Sequence, residues 1–153
     1  PGYEEQIDNE KYEYKPRDFA AARRNGIEDL LTRLNAARAA HPALRQLRDI
    51  YFHPTSDDQI LAYSKRVDAS HSPTGKDDVI LTVVNLDPHG ARAGEVYLNL
   101  EALGLPGWVD ASRPVIRVTD ELTGASYEWS GQNYVRLDPF AGQAAHVFSV
   151  EPL

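Results

Sequence analysis

At 153 residues, 42% hydrophobic and 25% charged, the chain has the size and balance of one globular domain rather than of a disordered segment. A net charge of −7 argues against nucleic acid or an anionic membrane as partner, since either needs a basic face to displace counterions. No stretch reaches the roughly 18 apolar residues of a membrane-spanning helix, and the absence of cysteine excludes disulfides and thiolate metal sites and fits a reducing, cytoplasmic setting.

The first distinctive stretch is "DNEKYEYKPRDF", Asp8 to Phe19, with four acids, three basic residues and two tyrosines. It has neither a strand nor a helix period, and it is too rich in Tyr, Lys, Arg and carboxylates for an ordinary Gly/Ser/Pro loop. A short helix is read over Asp18–Arg24. In "NGIEDLLTRLNAARAAHPALRQL", Ile27, Leu30, Leu31, Leu34, Ala37 and His41 form one stripe at i, i+3, i+4, i+7 spacing. Asn25 followed by Glu28 reads as a capping box, and Glu28 and Asp29 suit the positive end of the helix dipole. Pro42 ends the helix, because it pushes His41 out of the helical region.

From about residue 48 the pattern changes to short β-branched and aromatic runs between turn residues. Strands are predicted at Asp49–His53, Gln59–Val67, Asp78–Leu86, Gly94–Leu100, Val115–Asp120, Ser126–Trp129, Tyr134–Leu137 and Ala144–Val150. Val79 to Val84 is an almost unbroken apolar run, which predicts a strand covered on both faces. In "EVYLNL", Val96, Leu98 and Leu100 are expected to face one way. Many short strands over one domain predict a mainly β fold, an antiparallel sandwich. The leucine stripe must be buried on something: either this sandwich or a domain outside the chain.

Self-contained chemistry is hard to find. Asp8, Glu10 and Asp18 lie on one polar loop with no deep wall to separate two carboxyl pKa values. His41, His53, His71, His89 and His146 lack the spacing of a zinc site, and no metal or cofactor is expected. "GARAG" lacks the lysine and helix of a phosphate cradle, and "DASHSPTGKDD" does not fit a calcium loop. Trp108, Trp129, Tyr127 and Tyr134 leave open a stand-alone carbohydrate-binding module. Tyr127 and Trp129 are read as lying on opposite faces of a strand, so that at least one of them is core. Ser130 to Asn133 are read as a turn joining two paired strands, with Tyr134 pairing across.

Six segments, "EKYEYKPRDF", "LLTRLNAARAAHPALRQL", "ILAYSKR", "VILTVVNLDPH", "RVTDELTGASYEW" and "NYVRLDP", together resemble the C-terminal end of α-amylase-superfamily enzymes. The likeness is to the bacterial α-1,4-glucan:maltose-1-phosphate maltosyltransferases. That resemblance implies a (β/α)₈ catalytic barrel followed by a β-sandwich, domain C. Residues 1–47 would be the last barrel loop and helix, and residues 48–153 the sandwich. It further implies that Lys11 and Tyr12 lie beside the donor maltosyl unit, where a charged amine bonds hydroxyls and a tyrosine ring covers a pyranose face. The catalytic nucleophile and acid/base would lie upstream, leaving no catalytic residue in this chain and no activity in the chain by itself. The expected partners are maltose 1-phosphate and α-glucan through the parent enzyme, the upstream barrel, and a second copy in a homodimer. Two alternatives stay open: the glycan-binding module, and a purely structural domain C of another superfamily enzyme.

Overall fold

A computed structural model describes residues 16, 18–24 and 26–153. Two helices come first, α1 (Phe19–Arg24) and α2 (Ile27–Ala40), then a 3₁₀ turn (Pro42–Arg45). Eight strands follow: β1 (Ile50–His53), β2 (Ile60–Val67), β3 (Asp78–Asn85), β4 (Arg92–Tyr97), β5 (Ile116–Asp120), β6 (Ser126–Trp129), β7 (Gln132–Leu137) and β8 (Ala145–Pro152). Every predicted strand is present.

The strands divide unequally between two antiparallel sheets, a six-stranded one in the order β1-β2-β3-β8-β5-β6 and a two-stranded one of β4 and β7. The small sheet covers only part of the large one. The irregular segment after β4 covers more, with Leu103 and Leu105 buried and Leu98, Leu100, Val109 and Val115 packed on the same core. Leu81, Val83, Ile116, Val118 and Phe148 from the large sheet meet Val96, Val135 and Leu137 from the small one. Each such side chain contributes roughly 1.5–3 kcal/mol of burial. Val96, Leu98 and Leu100 do face the core together, although β4 ends at Tyr97.

β3 is buried on both faces, as its apolar run predicts. Val79, Leu81 and Val83 enter the main core, while Ile80 joins Ala43, Val67 and Val147 in a second cluster on the outer face of the large sheet. That second cluster is where the helical segment attaches.

Three local expectations are corrected. α2 starts on Gly26, whose φ of 76° lies in the left-handed region, and no side chain caps it. Asn25 lies outside the described residues, and Glu28 instead accepts from Arg23 Nε at 2.8 Å. Tyr127 and Trp129, two residues apart on β6, share a face, as strand geometry requires. Both rings meet Phe148 edge-on, with centroids 6.1 and 5.0 Å away.

The segment from Ser130 to Asn133 does not join paired strands: β6 closes the large sheet, β7 pairs with β4, and Tyr134 lies opposite Glu95. The connection is a corner between layers. Gly131 makes it through close backbone approach, donating to Ala111 O at 2.9 Å and accepting from Leu98 N at 2.8 Å. A Cβ there would fall 2.9 Å from that of Ala111.

Candidate functional site

The helical segment is attached to the sandwich at one end. Proline after His41 forces the helix to stop, and the C-capping His41 adopts extended backbone angles. Its ring then sits between two carboxylates. Nδ1 lies 2.7 Å from Asp78 Oδ1, and Nε2 lies 3.5 Å from Glu121 Oε1. The other oxygen of Asp78 accepts from Ala43 N at 2.7 Å. Asp78 opens β3 and Glu121 follows β5, so one imidazole joins the helix end to two strands of the large sheet. Arg33 adds a bond to Leu122 O at 2.6 Å. Lys65 reaches the Gln46 carbonyl, and Gln46 Nε2 donates to Arg66 O at 3.0 Å.

Farther toward its start, α2 stands off the sheet. Of its stripe, Ala37 alone is buried, while Ile27 and Leu31 are more than half exposed. Between the helix and the outer sheet face runs an apolar groove of about 430 Å³, lined among others by Leu30, Leu34, Leu44, Tyr63, Val84 and Val147. Phe52, opposite Tyr63 in the β1–β2 register, is exposed on the same sheet face. The leucine stripe thus faces the sheet without being closed by it. Contiguous apolar surface of this kind marks an interaction face on a folded protein.

Lys11 and Tyr12 lie outside the described residues, as does the polar leader as far as residue 15. The five histidines are a helix end (His41), strand residues (His53, His146) and turn residues (His71, His89). Among the described residues no group of three or more His, Cys, Asp or Glu side chains is placed to hold a metal. Trp129 is core and Trp108 is 85% exposed on the segment after β4. Tyr127 and Tyr134 remain exposed at the open side of the sandwich.

Two buried polar arrangements had no signature in the sequence. His146 Nδ1–H donates to Asp120 Oδ2 at 2.9 Å. The same carboxylate accepts from Leu122 N, Thr123 Oγ1 and Val147 N at 3.0, 3.0 and 3.3 Å. Burial pushes the Asp120 carboxyl up, but the bonds from His146, Leu122, Thr123 and Val147 together hold it below the ordinary range. His53 accepts at Nδ1 from Asn99 N at 3.1 Å and has Ser64 Oγ 2.9 Å from Nε2. A histidine in an apolar run signals nothing by itself; its partners stand 11 to 46 residues away.

Fold and surface define a class: an antiparallel β-sandwich domain carrying an amphipathic helix with an unclosed apolar face. Residues 52–150 match the family described as "GLGE, C-terminal", and the chain belongs to that family. It is 47% identical, over 100% of its length, to the α-1,4-glucan:maltose-1-phosphate maltosyltransferase of Arcanobacterium haemolyticum, of which it covers 22%. It is similar to the enzymes of the same name from Bifidobacterium longum (46% identity, 99% of this chain, 19% of that protein) and Corynebacterium glutamicum (47%, 100% and 21%). The chain therefore spans about a fifth of the length of the curated relatives it matches. No helix among the described residues is long and apolar enough to cross a membrane.

Proposed function

We propose that the chain is the C-terminal part of a maltosyltransferase that moves maltosyl units from maltose 1-phosphate to the non-reducing end of α-1,4-glucans, releasing phosphate. The observation that carries this is the identity of 46–47% to enzymes of that name, running over essentially the whole chain and therefore through the leader and α2 as well as the sandwich. The parent is a cytoplasmic homodimer of the α-amylase superfamily that needs no cofactor. Residues 1–47 form the last loop and helix of its (β/α)₈ barrel, and residues 48–153 the C-terminal sandwich.

Retention in such a transfer requires two carboxyl groups about 5 Å apart across the anomeric carbon. One attacks that carbon as phosphate leaves, forming the glycosyl-enzyme; the other serves as acid and then as base, activating the acceptor hydroxyl. On this reading both belong to sequence outside these residues. Lys11 and Tyr12 contribute at the loop end, where barrel active sites are assembled from βα loops. The unclosed face of α2 and the groove beside it support a neighbour on that side, and the catalytic barrel is the neighbour this reading supplies.

Incubation of the chain alone with maltose 1-phosphate and maltoheptaose is expected to release no phosphate. The full-length enzyme releases it, and Lys11→Ala or Tyr12→Ala in that enzyme lowers kcat/KM by about 10- to 100-fold, the range of a lost charge-assisted bond or stacking contact. Phosphate release by the chain alone would overturn the placement of the catalytic carboxylates upstream.

A further inference from the structure

A second site is carried by the opposite, inner side of the large sheet. β6 ends one sheet and β7 has a partner on one side only, so two free strand edges lie next to each other where the layers part. Between them is a cleft of about 190 Å³, comparable with one hexose ring, lined by Tyr127, Trp129, Tyr134, Arg136, Gln143 and His146 over Phe148. Tyr127 and Tyr134 are respectively 43% and 63% exposed, so the cleft presents two phenol rings to solvent. The Tyr127 ring is fixed by edge contacts with His146 and Phe148 at 6.5 and 6.1 Å.

The floor is built rather than incidental. The His146 ring is stacked on Phe148, with centroids 4.7 Å apart and planes within 16°, and is aimed by the fully buried Asp120. With Nδ1 committed to that carboxylate, Nε2 makes no hydrogen bond to another described residue, and neither does the Gln143 side-chain amide. Among the described residues Arg136 is held only by a 3.4 Å contact with Asp138. The cleft therefore combines aromatic rings with uncommitted donors and acceptors. That combination suits a neutral, hydroxyl-rich ligand whose C–H face stacks on tyrosine and whose hydroxyls both give and take hydrogen bonds. An apolar peptide would leave the His146 and Gln143 groups unpaired, which is costly once desolvated.

We propose that this cleft is a non-catalytic glycan site that holds one glucosyl residue of an α-1,4-glucan chain. The choice of an α-glucan rests on the maltosyl-transfer reading above; the cleft itself does not. Such a site would keep a growing polymer near the enzyme and raise its effective concentration at the acceptor end.

The test is an amide chemical-shift titration of the full 153-residue chain with maltoheptaose, with cellohexaose in parallel. Saturable shifts are expected at Tyr127, Tyr134, Arg136 and Gln143, with Kd of the order of a millimolar, as suits a single shallow subsite. Tyr134→Ala, a solvent-exposed change, weakens binding about tenfold, and Gln143→Ala weakens it as well. Absence of those shifts, or binding indifferent to both cleft substitutions, overturns the proposal. If that happens while the full-length enzyme still releases phosphate from maltose 1-phosphate, the cleft assignment fails and the transferase reading stands. Cellohexaose saturating the same residues in place of maltoheptaose overturns the α-glucan assignment and counts against the transferase reading.

Discussion

Two histidines on the inner face of the large sheet, both buried, are held in different ways. His146 donates a hydrogen bond from Nδ1–H to a carboxylate, whereas His53 accepts one at Nδ1 from the Asn99 amide and so must carry its own proton on Nε2, toward Ser64. Burial pushes the His53 ring down to about 4, from 6.5. Between those values an unfolded imidazole is protonated and the folded one is not, so the unfolded chain binds more protons and stability falls as the pH is lowered through the window. The full loss is on the order of 3 kcal/mol, at about 1.4 kcal/mol per pKa unit. Urea unfolding near neutral pH and near the lower limit should show this fall in the parent chain and a flatter response in His53→Gln, whose amide cannot protonate. Equal slopes in the two proteins would remove His53 as the cause.

At the scale of elements, the strands were legible because each is a local statement: a β-branched run bounded by turn residues. The buried character of β3 was legible for the same reason, since six apolar or near-apolar residues from Val79 to Val84 leave no polar face to turn outward. The partner of each strand was not. Ser130 to Asn133 have the composition of a hairpin turn, yet Trp129 and Val135 enter the core from different layers. Which layer receives a strand depends on the whole core, and turn residues do not encode it.

The helix shows the same division. Its period and its stop at Pro42 are local; its seat is centred on one ring between Asp78, 37 residues on, and Glu121, with Arg33 and the Ala43 cluster beside it. His41→Ala is therefore expected to lower stability by about 1–2 kcal/mol, the net worth of the lost hydrogen bonds. It should also speed amide exchange across α2 while β3 and β8 stay protected. Uniform loss of protection in helix and sheet alike would mean that the imidazole is part of the global core rather than the fastening of one element.

For the molecule as a whole, the uneven distribution of apolar surface has the largest consequence. The inner face of the large sheet is closed by the small sheet and the segment after β4, while among the described residues the outer face is closed only where the 3₁₀ turn and the end of α2 reach it. Leu30 and Leu34 line the groove and yet are 47% and 37% exposed. Leu30→Lys with Leu34→Lys should therefore change the stability of the chain by less than about 1 kcal/mol, as surface substitutions do. On the proposed maltosyl-transfer reading, the same pair in the full-length protein should lower the melting temperature and the rate of phosphate release. A large loss in the chain itself would show that the groove is the helix's own seat and needs no neighbour.

The order and number of strands, the two-faced burial of β3 and the helix with its abrupt stop were all decided by the amino-acid order alone. Each rests on side chains a few positions apart, and backbone geometry turns that spacing directly into a face. The six-and-two division of the sheets, the Asp120–His146 and His41–Asp78 pairs, the aromatic cleft and the groove were decided only when distant segments met. Which side chains become neighbours across 26 or 37 residues depends on closing the chain around a common core, and local spacing carries no record of that closure.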